Sequence, residues 1–143
     1  MRARNPGFFS RVRVAAVERR APVIAKCGET IREVAARLRD TDELAVPLVD
    51  GKHFVGLVAV SEIALSLAQS SDTELKIDDL SRAPSVILSS SDTLESAAIA
   101  MADPRSPLLP VIDPMSGNFT GIVTRRDVLD AYRRAADASI LGV

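Results

Sequence analysis

A chain of 143 residues that is 47% apolar but only 3% aromatic, with no tryptophan, must fill its core with aliphatic side chains and offers few rings on which nucleic-acid bases could stack. Eighteen basic against nineteen acidic residues leave a net charge of -1, so no summed field draws the protein toward a polyanion, and nucleic acid is not an expected partner. A single cysteine, Cys27, and a single histidine, His53, exclude a disulfide framework and a Cys/His zinc site, which needs about four such ligands.

Arginines 2, 4, 11, 13, 19 and 20 face one acid, Glu18, in the opening segment. Residues 1–11 are therefore expected to be a basic tail or linker, either solvated or lying near anionic headgroups. Arg20-Ala21-Pro22 leads into Val23-Ile24, a short β-favouring run read as the first strand. Cys27 falls in the loop that follows and is read as a small structural residue. Thr30 and Glu33 have the spacing of a capping box, and Ile31, Val34, Ala35 and Leu38 make one apolar face of the helix it starts. Val46 to Asp50 and Phe54 to Ala59 read as two strands joined by the Gly51-Lys52 turn, with His53 exposed beside that turn. A helix carrying Ile63, Ala64 and Leu67 on its apolar stripe completes the set. The polar stretch Gln69-Ser70-Ser71-Asp72 opens a linker placed at residues 71–74.

The same order then repeats. Arg82-Ala83-Pro84 precedes Val86-Ile87, read as the equivalent first strand. Leu94, Ala97, Ala98 and Met101 lie sixty-three residues beyond the first apolar face, with Asp92 and Glu95 as the expected capping box. Leu109 to Asp113 and Phe119 to Thr124 are the strands, and a longer turn, Pro114 to Asn118, moves the register so that Gly121 matches Gly56. Val128, Leu129 and Tyr132 continue the pattern on the last helix. The fold class is α+β: two β-α-β-β-α repeats, at 12–70 and 75–136, with a C-terminal tail at 137–143. A unit of about 60 residues buries too little surface to stand comfortably alone, so the two should pack through their sheets about a pseudo-twofold axis.

Gly121-Ile122-Val123-Thr124-Arg125-Arg126-Asp127 concentrates polar chemistry at a strand-to-helix junction. A carboxylate in a first helical turn is favoured by the helix dipole, and its two oxygens match the vicinal hydroxyls of a ribose. The Thr124 hydroxyl, the free N–H groups of the helix start and the Arg125 and Arg126 guanidinium groups suit a phosphate. The same Thr124 and Asp127 can equally form a capping box that does no more than start a helix. No nucleophile–base pair, paired carboxylates or metal set is visible, so the chain is not expected to be an enzyme. No apolar run approaches the roughly 20 residues of a membrane span, so the chain is expected to be soluble.

The repeat, the apolar-Pro-apolar-apolar-Asp strands at 46–50 and 109–113, and the Gly-x-apolar-Thr-x-x-Asp junction together resemble a tandem pair of cystathionine beta-synthase (CBS) domains, a Bateman module, over residues 12–136. Gly121 to Leu129 is moreover similar to the second CBS domain of voltage-gated-type chloride channels and transporters, which would make the chain a C-terminal cytoplasmic tail of such a protein. The resemblance implies a regulatory module that senses an adenine nucleotide or nucleoside (AMP, ADP or ATP), holds no metal, and controls an attached or associated channel, transporter or enzyme. It also implies a homodimer, for which the apolar stripes of both second helices are suited. Carried over by position, the ligand residues are Thr124, Arg125, Arg126 and Asp127, completed by Val23 and Ile24 and by Glu43, Leu44 and Ala45 ahead of Pro47. The chain departs from the pattern where Glu43 stands in place of the aromatic of some nucleotide-binding relatives, and where Asp40, Asp42 and Glu43 oppose a polyphosphate. At the mirror-related junction Ala59 and Glu62 replace the threonine and the aspartate. One usable site is expected, at Thr124 and Asp127. The competing reading is a purely structural dimerisation domain whose cleft stays empty.

Overall fold

The computed structural model describes residues 7–71 and 74–140, and side chains as far as 137. Arg2, Arg4, Asp72 and Thr73, and the end of the C-terminal tail, lie outside the described residues. The chain runs through α1 (Phe8–Arg11), β1 (Ala25–Lys26), α2 (Ile31–Leu38), β2 (Ala45–Asp50), β3 (His53–Ala59) and α3 (Val60–Gln69). It then repeats as β4 (Leu88–Ser89), α4 (Leu94–Ala100), β5 (Leu108–Ile112), β6 (Phe119–Thr124) and α5 (Arg125–Ile140). Single 3-10 turns, Val14–Ala16 and Ile77–Leu80, precede the two first strands. Each half holds one three-stranded sheet, in the orders β1-β2-β3 and β4-β5-β6, whose central strand is parallel to the first and antiparallel to the third.

A proline in each central strand decides where the first strand begins. Leu57 spends both its backbone N–H and C=O on Arg82, and Ile122 does the same with Arg19, so the residues across the ladder from them, Pro47 and Pro110, turn their backbones toward β1 and β4. Proline has no N–H to offer there. The parallel ladder therefore starts only at Ala25↔Leu48 and Leu88↔Val111. This places the first strands two residues later than Val23-Ile24 and Val86-Ile87.

Helix starts follow side-chain chemistry. Thr30 and Glu33 form the complete capping box, at 3.1 and 2.8 Å. In the second half the cap is Thr93, whose hydroxyl takes the Ser96 N–H, and the Asp92–Glu95 box is not what starts α4. The Asp92 carboxylate is occupied by the Ser89 N–H at 2.8 Å, just as Glu29, sixty-three residues earlier, takes the Lys26 N–H at 2.7 Å.

Each repeat is completed by the segment that leads into the other. Val14, fully buried, lies in the core made by Leu88, Leu94, Leu109, Val111, Val123 and Val128 of the second repeat. Ile77, fully buried, lies in the core of the first with Ala25, Val34, Val46, Leu48 and Val58. Backbone hydrogen bonds fix both insertions in the same way: Val14 N–H to Asp92 C=O and Leu94 N–H to Val12 C=O, against Ile77 N–H to Glu29 C=O and Ile31 N–H to Leu75 C=O, all between 2.7 and 2.9 Å. Phe8 and Phe9, expected in a detached basic tail, instead pack beside this second core with their rings 5.8 and 5.7 Å from Tyr132. They do so because three aromatic faces are better buried against one another than exposed.

Beyond these insertions the chain crosses the opposite sheet as a strap. Arg19 pairs with Ile122 on the outer edge of β6, and Arg82 pairs with Leu57 on the outer edge of β3, each through two backbone hydrogen bonds of 2.8–3.0 Å. Such pairing covers edges that would otherwise present unsatisfied backbone groups. The close approach requires glycine: a Cβ on Gly121 would lie 2.6 Å from the Arg19 carbonyl oxygen, and one on Gly56 would meet the Ser81 hydroxyl and lie 3.0 Å from the Arg82 carbonyl oxygen. The two sheets meet in a smaller seam of buried Ala45, Leu108 and Ile122, flanked by Leu57 and Phe119, with Phe54 stacked on Phe119 at 5.9 Å.

Two predictions follow from this packing. Gly121→Ala pushes the strap off β6 and is expected to cost about 1–3 kcal/mol as an overpacking change, read as a lower urea midpoint; an unchanged midpoint would show that the strap carries no stability. The second concerns Glu29, whose carboxylate receives the Arg37 guanidinium at 2.7 and 2.8 Å while Arg37 also donates to the Ile24 carbonyl. That hydrogen bond holds the Glu29 carboxyl below the usual carboxylate range against the opposing effect of burial. A depressed folded-state value means that the contribution is complete above the unfolded-state pKa of about 4.3 and is lost as pH falls through the folded one. Glu29→Gln should therefore be less stable at neutral pH and lose less of its stability on acidification, as followed by denaturation at pH 7 and pH 3.

Candidate functional site

The pseudo-twofold axis generates two strand-to-helix junctions, and the chemistry that the sequence points to lies at the second. Thr124 ends β6 and Asp127 lies in the first turn of α5. Asp127 Oδ2 accepts the Thr124 N–H at 2.8 Å and its hydroxyl at 2.9 Å, while the Asp127 N–H donates to Thr124 Oγ1 at 3.3 Å. Of the two open readings of these residues, this geometry is the capping box. Arg19 then donates its Nε–H to Oδ1 at 2.9 Å and to Oδ2 at 3.2 Å, leaving the Asp127 side chain 13% exposed.

The other expected ligand residues disperse. Arg125 donates to the carbonyls of Met101 and Asp103, at 2.8 and 3.0 Å, and so binds the C-terminal end of α4 rather than an open phosphate site. Arg126 is exposed. Val23 is buried in the first core, and the Ile24 carbonyl is taken by Arg37. Glu43 is half-buried, Leu44 is exposed with its carbonyl accepting the Val60 N–H, and Ala45 lies in the seam.

An open cleft of about 430 Å³ lies instead at the first junction, which the sequence ranks as the weaker. Its apolar wall is made by Ala45, Leu57, Ala59, Leu80, Pro84 and Pro107. Glu62, Arg82, Ser85, Asp103, Arg105 and Ser106 supply the polar groups. The difference between the junctions begins with one hydroxyl. Ala59 has no side chain able to cap α3, Glu62 is one methylene longer than Asp127, and its side chain is 39% exposed. Arg82 sits on the same backbone bridge as Arg19, yet its guanidinium stands 3.9 Å from Glu62 and is 78% exposed.

The far wall comes from the second repeat. Arg105 holds Asp103 through its backbone N–H at 2.9 Å and its guanidinium at 3.2 Å, and this hydrogen bonding keeps the Asp103 carboxyl below its ordinary range. Ser106, 5% exposed, shares a 2.8 Å hydroxyl–hydroxyl hydrogen bond with Ser85. Two arginines, two carboxylates and two hydroxyls thus border an aliphatic slot, an arrangement that can take a flat apolar group with a polar, hydroxylated or anionic end. Arg19 and the set from Arg82 to Ser106 were missed by sequence reasoning. The available signal was the sixty-three-residue spacing of Arg19 and Arg82, which the more conspicuous Arg-Ala-Pro match, one register step off, obscures.

Elsewhere, Cys27 is half-buried beside Asp78, and burial first, then that carboxylate, pushes its thiol up. Among the described residues no cluster of His, Cys, Asp or Glu could hold a metal ion, and no helix is long and apolar enough to cross a membrane.

The CBS domain family matches the chain twice, over residues 14–69 and 77–134. No curated protein matches it. Solved structures share the fold at low identity. A CBS domain pair/ACT domain protein from Thermotoga maritima is 22% identical over 87% of this chain and 98% of its own, with a TM-score of 0.72. CBSX2 in complex with AMP is 21% identical over 87% and 98%, with a TM-score of 0.72. The CBS domain of the bacterial CNNM/CorC family Mg2+ transporter in complex with ATP is 15% identical over 88% and 89%, with a TM-score of 0.75. Among these the transporter is one for magnesium, so the narrower likeness of Gly121 to Leu129 to chloride channels gains no support from them. Two family matches that together span most of the residues, on two interlocked sheets of the same topology, establish that this chain belongs to the CBS domain family as a tandem pair.

Proposed function

We propose that this CBS pair is a regulatory module that binds an adenine nucleotide or nucleoside in the cleft at its first junction and passes occupancy to an attached or associated transporter, channel or enzyme. The observation that carries this is the composition of the cleft: one wall is β2, β3 and α3 of the first repeat, the other is the strap and the 103–107 loop of the second. A ligand there touches both repeats, so its binding energy acts on their relative position. The AMP and ATP complexes of the similar structures support the ligand class. In this reading Glu62 accepts hydrogen bonds from ribose hydroxyls, Arg82 and Arg105 turn toward phosphate, and the base lies along Ala45, Leu57 and Pro107. Thr124 and Asp127, expected to hold the ligand, here begin a helix.

Exposed Leu65 and Leu67 on α3 and Leu129 and Tyr132 on α5 support pairing of two chains into a twofold-symmetric dimer, at the cytoplasmic face if the attached protein is a transporter. Light scattering at high micromolar concentration should give twice the chain mass; a strictly monomeric mass would remove the dimer.

The ligand is tested by isothermal titration with adenosine, AMP, ADP and ATP. Saturable binding of one equivalent of at least one of them is expected, and Glu62→Ala should weaken it about tenfold or more, because a hydrogen bond to a charged group contributes roughly 1.5–3 kcal/mol. The closed geometry around Asp127 favours a second reading, a structural dimerisation domain. No heat with any of the four ligands would establish that reading over the first.

A further inference from the structure

We propose that the second junction is a latent site for a ribonucleotide, kept shut by a side chain of the chain itself, Arg19. The proposal builds on the reading of the first cleft given above. The two junctions share one frame: Arg19 and Arg82 make the same two-bond bridge to Ile122 and Leu57, and Asp127 and Glu62 sit at the same place in the following helix. What differs is the guanidinium. At the second junction it lies on the carboxylate, at 2.9 and 3.2 Å, with its side chain 41% exposed. At the first it stands 3.9 Å from Glu62, 78% exposed, while its backbone stays bridged. The first junction therefore shows that the same backbone bridge is compatible with a loose, largely exposed arginine.

Closure follows from the Thr124 hydroxyl. With the Thr124 N–H it fixes Asp127 in one orientation, and a fixed carboxylate is the better partner for an Nε donor. Between them Thr124 and Arg19 engage both Asp127 oxygens, the ones a vicinal diol would need. The strap does not have to leave for the site to open, because Glu18 also pins it, accepting the Thr120 hydroxyl at 2.7 Å, independently of the Arg19 side chain. The chemical class that could displace Arg19 carries both a diol for Asp127 and an anionic group that receives the freed guanidinium, which is a ribonucleotide and not a free base.

The test is isothermal titration of the full chain with AMP, using Arg19→Met, which keeps the aliphatic stem over the strap and removes the cation. The wild type should bind one equivalent and Arg19→Met two. Asp127→Ala in the Arg19→Met background should abolish the added event only, and Glu62→Ala in that background the original one. If Arg19→Met, shown to be folded by circular dichroism, gains no binding event, the latch is wrong; two equivalents in the wild type would refute it equally. A wild type that binds nothing beside an Arg19→Met protein that binds one Asp127-dependent equivalent would uphold the latch and overturn the function proposed for the first cleft. Should Arg19→Met not fold, Arg19→Gln with the same readout decides in its place.

Discussion

Everything in this protein rests on the reciprocal insertion of each repeat's leading segment into the other repeat. Val14 and Ile77 are each fully buried in the opposite core, and each insertion is sealed by two backbone hydrogen bonds to the start of the opposite first helix. Neither half keeps an intact core without the other. Small units bury a modest fraction of their surface, and exchange of a leader adds buried aliphatic area to both without lengthening either. The straps that follow are a consequence: chain leaving one core must cross the neighbouring sheet before reaching its own, and it does so at Gly56 and Gly121, where the absence of a side chain lets backbone meet backbone.

The crossing sets the functional geometry. By placing Arg82 and Arg19 beside the helix starts of the opposite repeats, it brings a cation to each junction carboxylate. From there two side-chain differences, threonine against alanine and aspartate against glutamate, accompany the two outcomes. Where threonine ends the strand, carboxylate and guanidinium lock together; where alanine ends it, both side chains stay loose and a cleft remains. A hydrogen-bonded ion pair with a 13% exposed carboxylate is a stronger constraint than a pair nearly 4 Å apart with both partners more exposed, which contributes little. The sequence feature that most suggests a ligand site is thus, in this structure, a capping box joined to an ion pair.

Arg125 links this contrast to the rest of the second repeat. It follows Thr124 directly and binds the carbonyls of Met101 and Asp103, so the start of α5 and the loop forming the far wall of the first cleft share a single side chain. The same helix presents Leu129 to solvent. The far wall of the cleft and the helix of the outer face thus share one guanidinium.

How much was legible in the sequence differs between fold and site, for a physical reason. Features set by neighbours along the chain were readable: the apolar faces of α2 and α4, the Thr30–Glu33 box, the hairpins with positive-φ Gly51 and Gly117 in their turns, and the doubling of the whole pattern. Features that depend on which backbone lies opposite were not. The start of β1 is determined by the direction in which Pro47 faces across the sheet, and the fate of Phe8 and Phe9 by the approach of Tyr132 from the far end of the chain. The site belongs wholly to this second kind. Thr124 and Asp127 are three residues apart, and their capping role was visible at once; the partner of the carboxylate, Arg19, lies 108 positions away. The sequence by itself determined two equivalent α+β repeats and two junction carboxylates, because local periodicity and capping specify those. Only the tertiary structure decided which partner each carboxylate meets, because that depends on where an exchanged strap sets down its arginine.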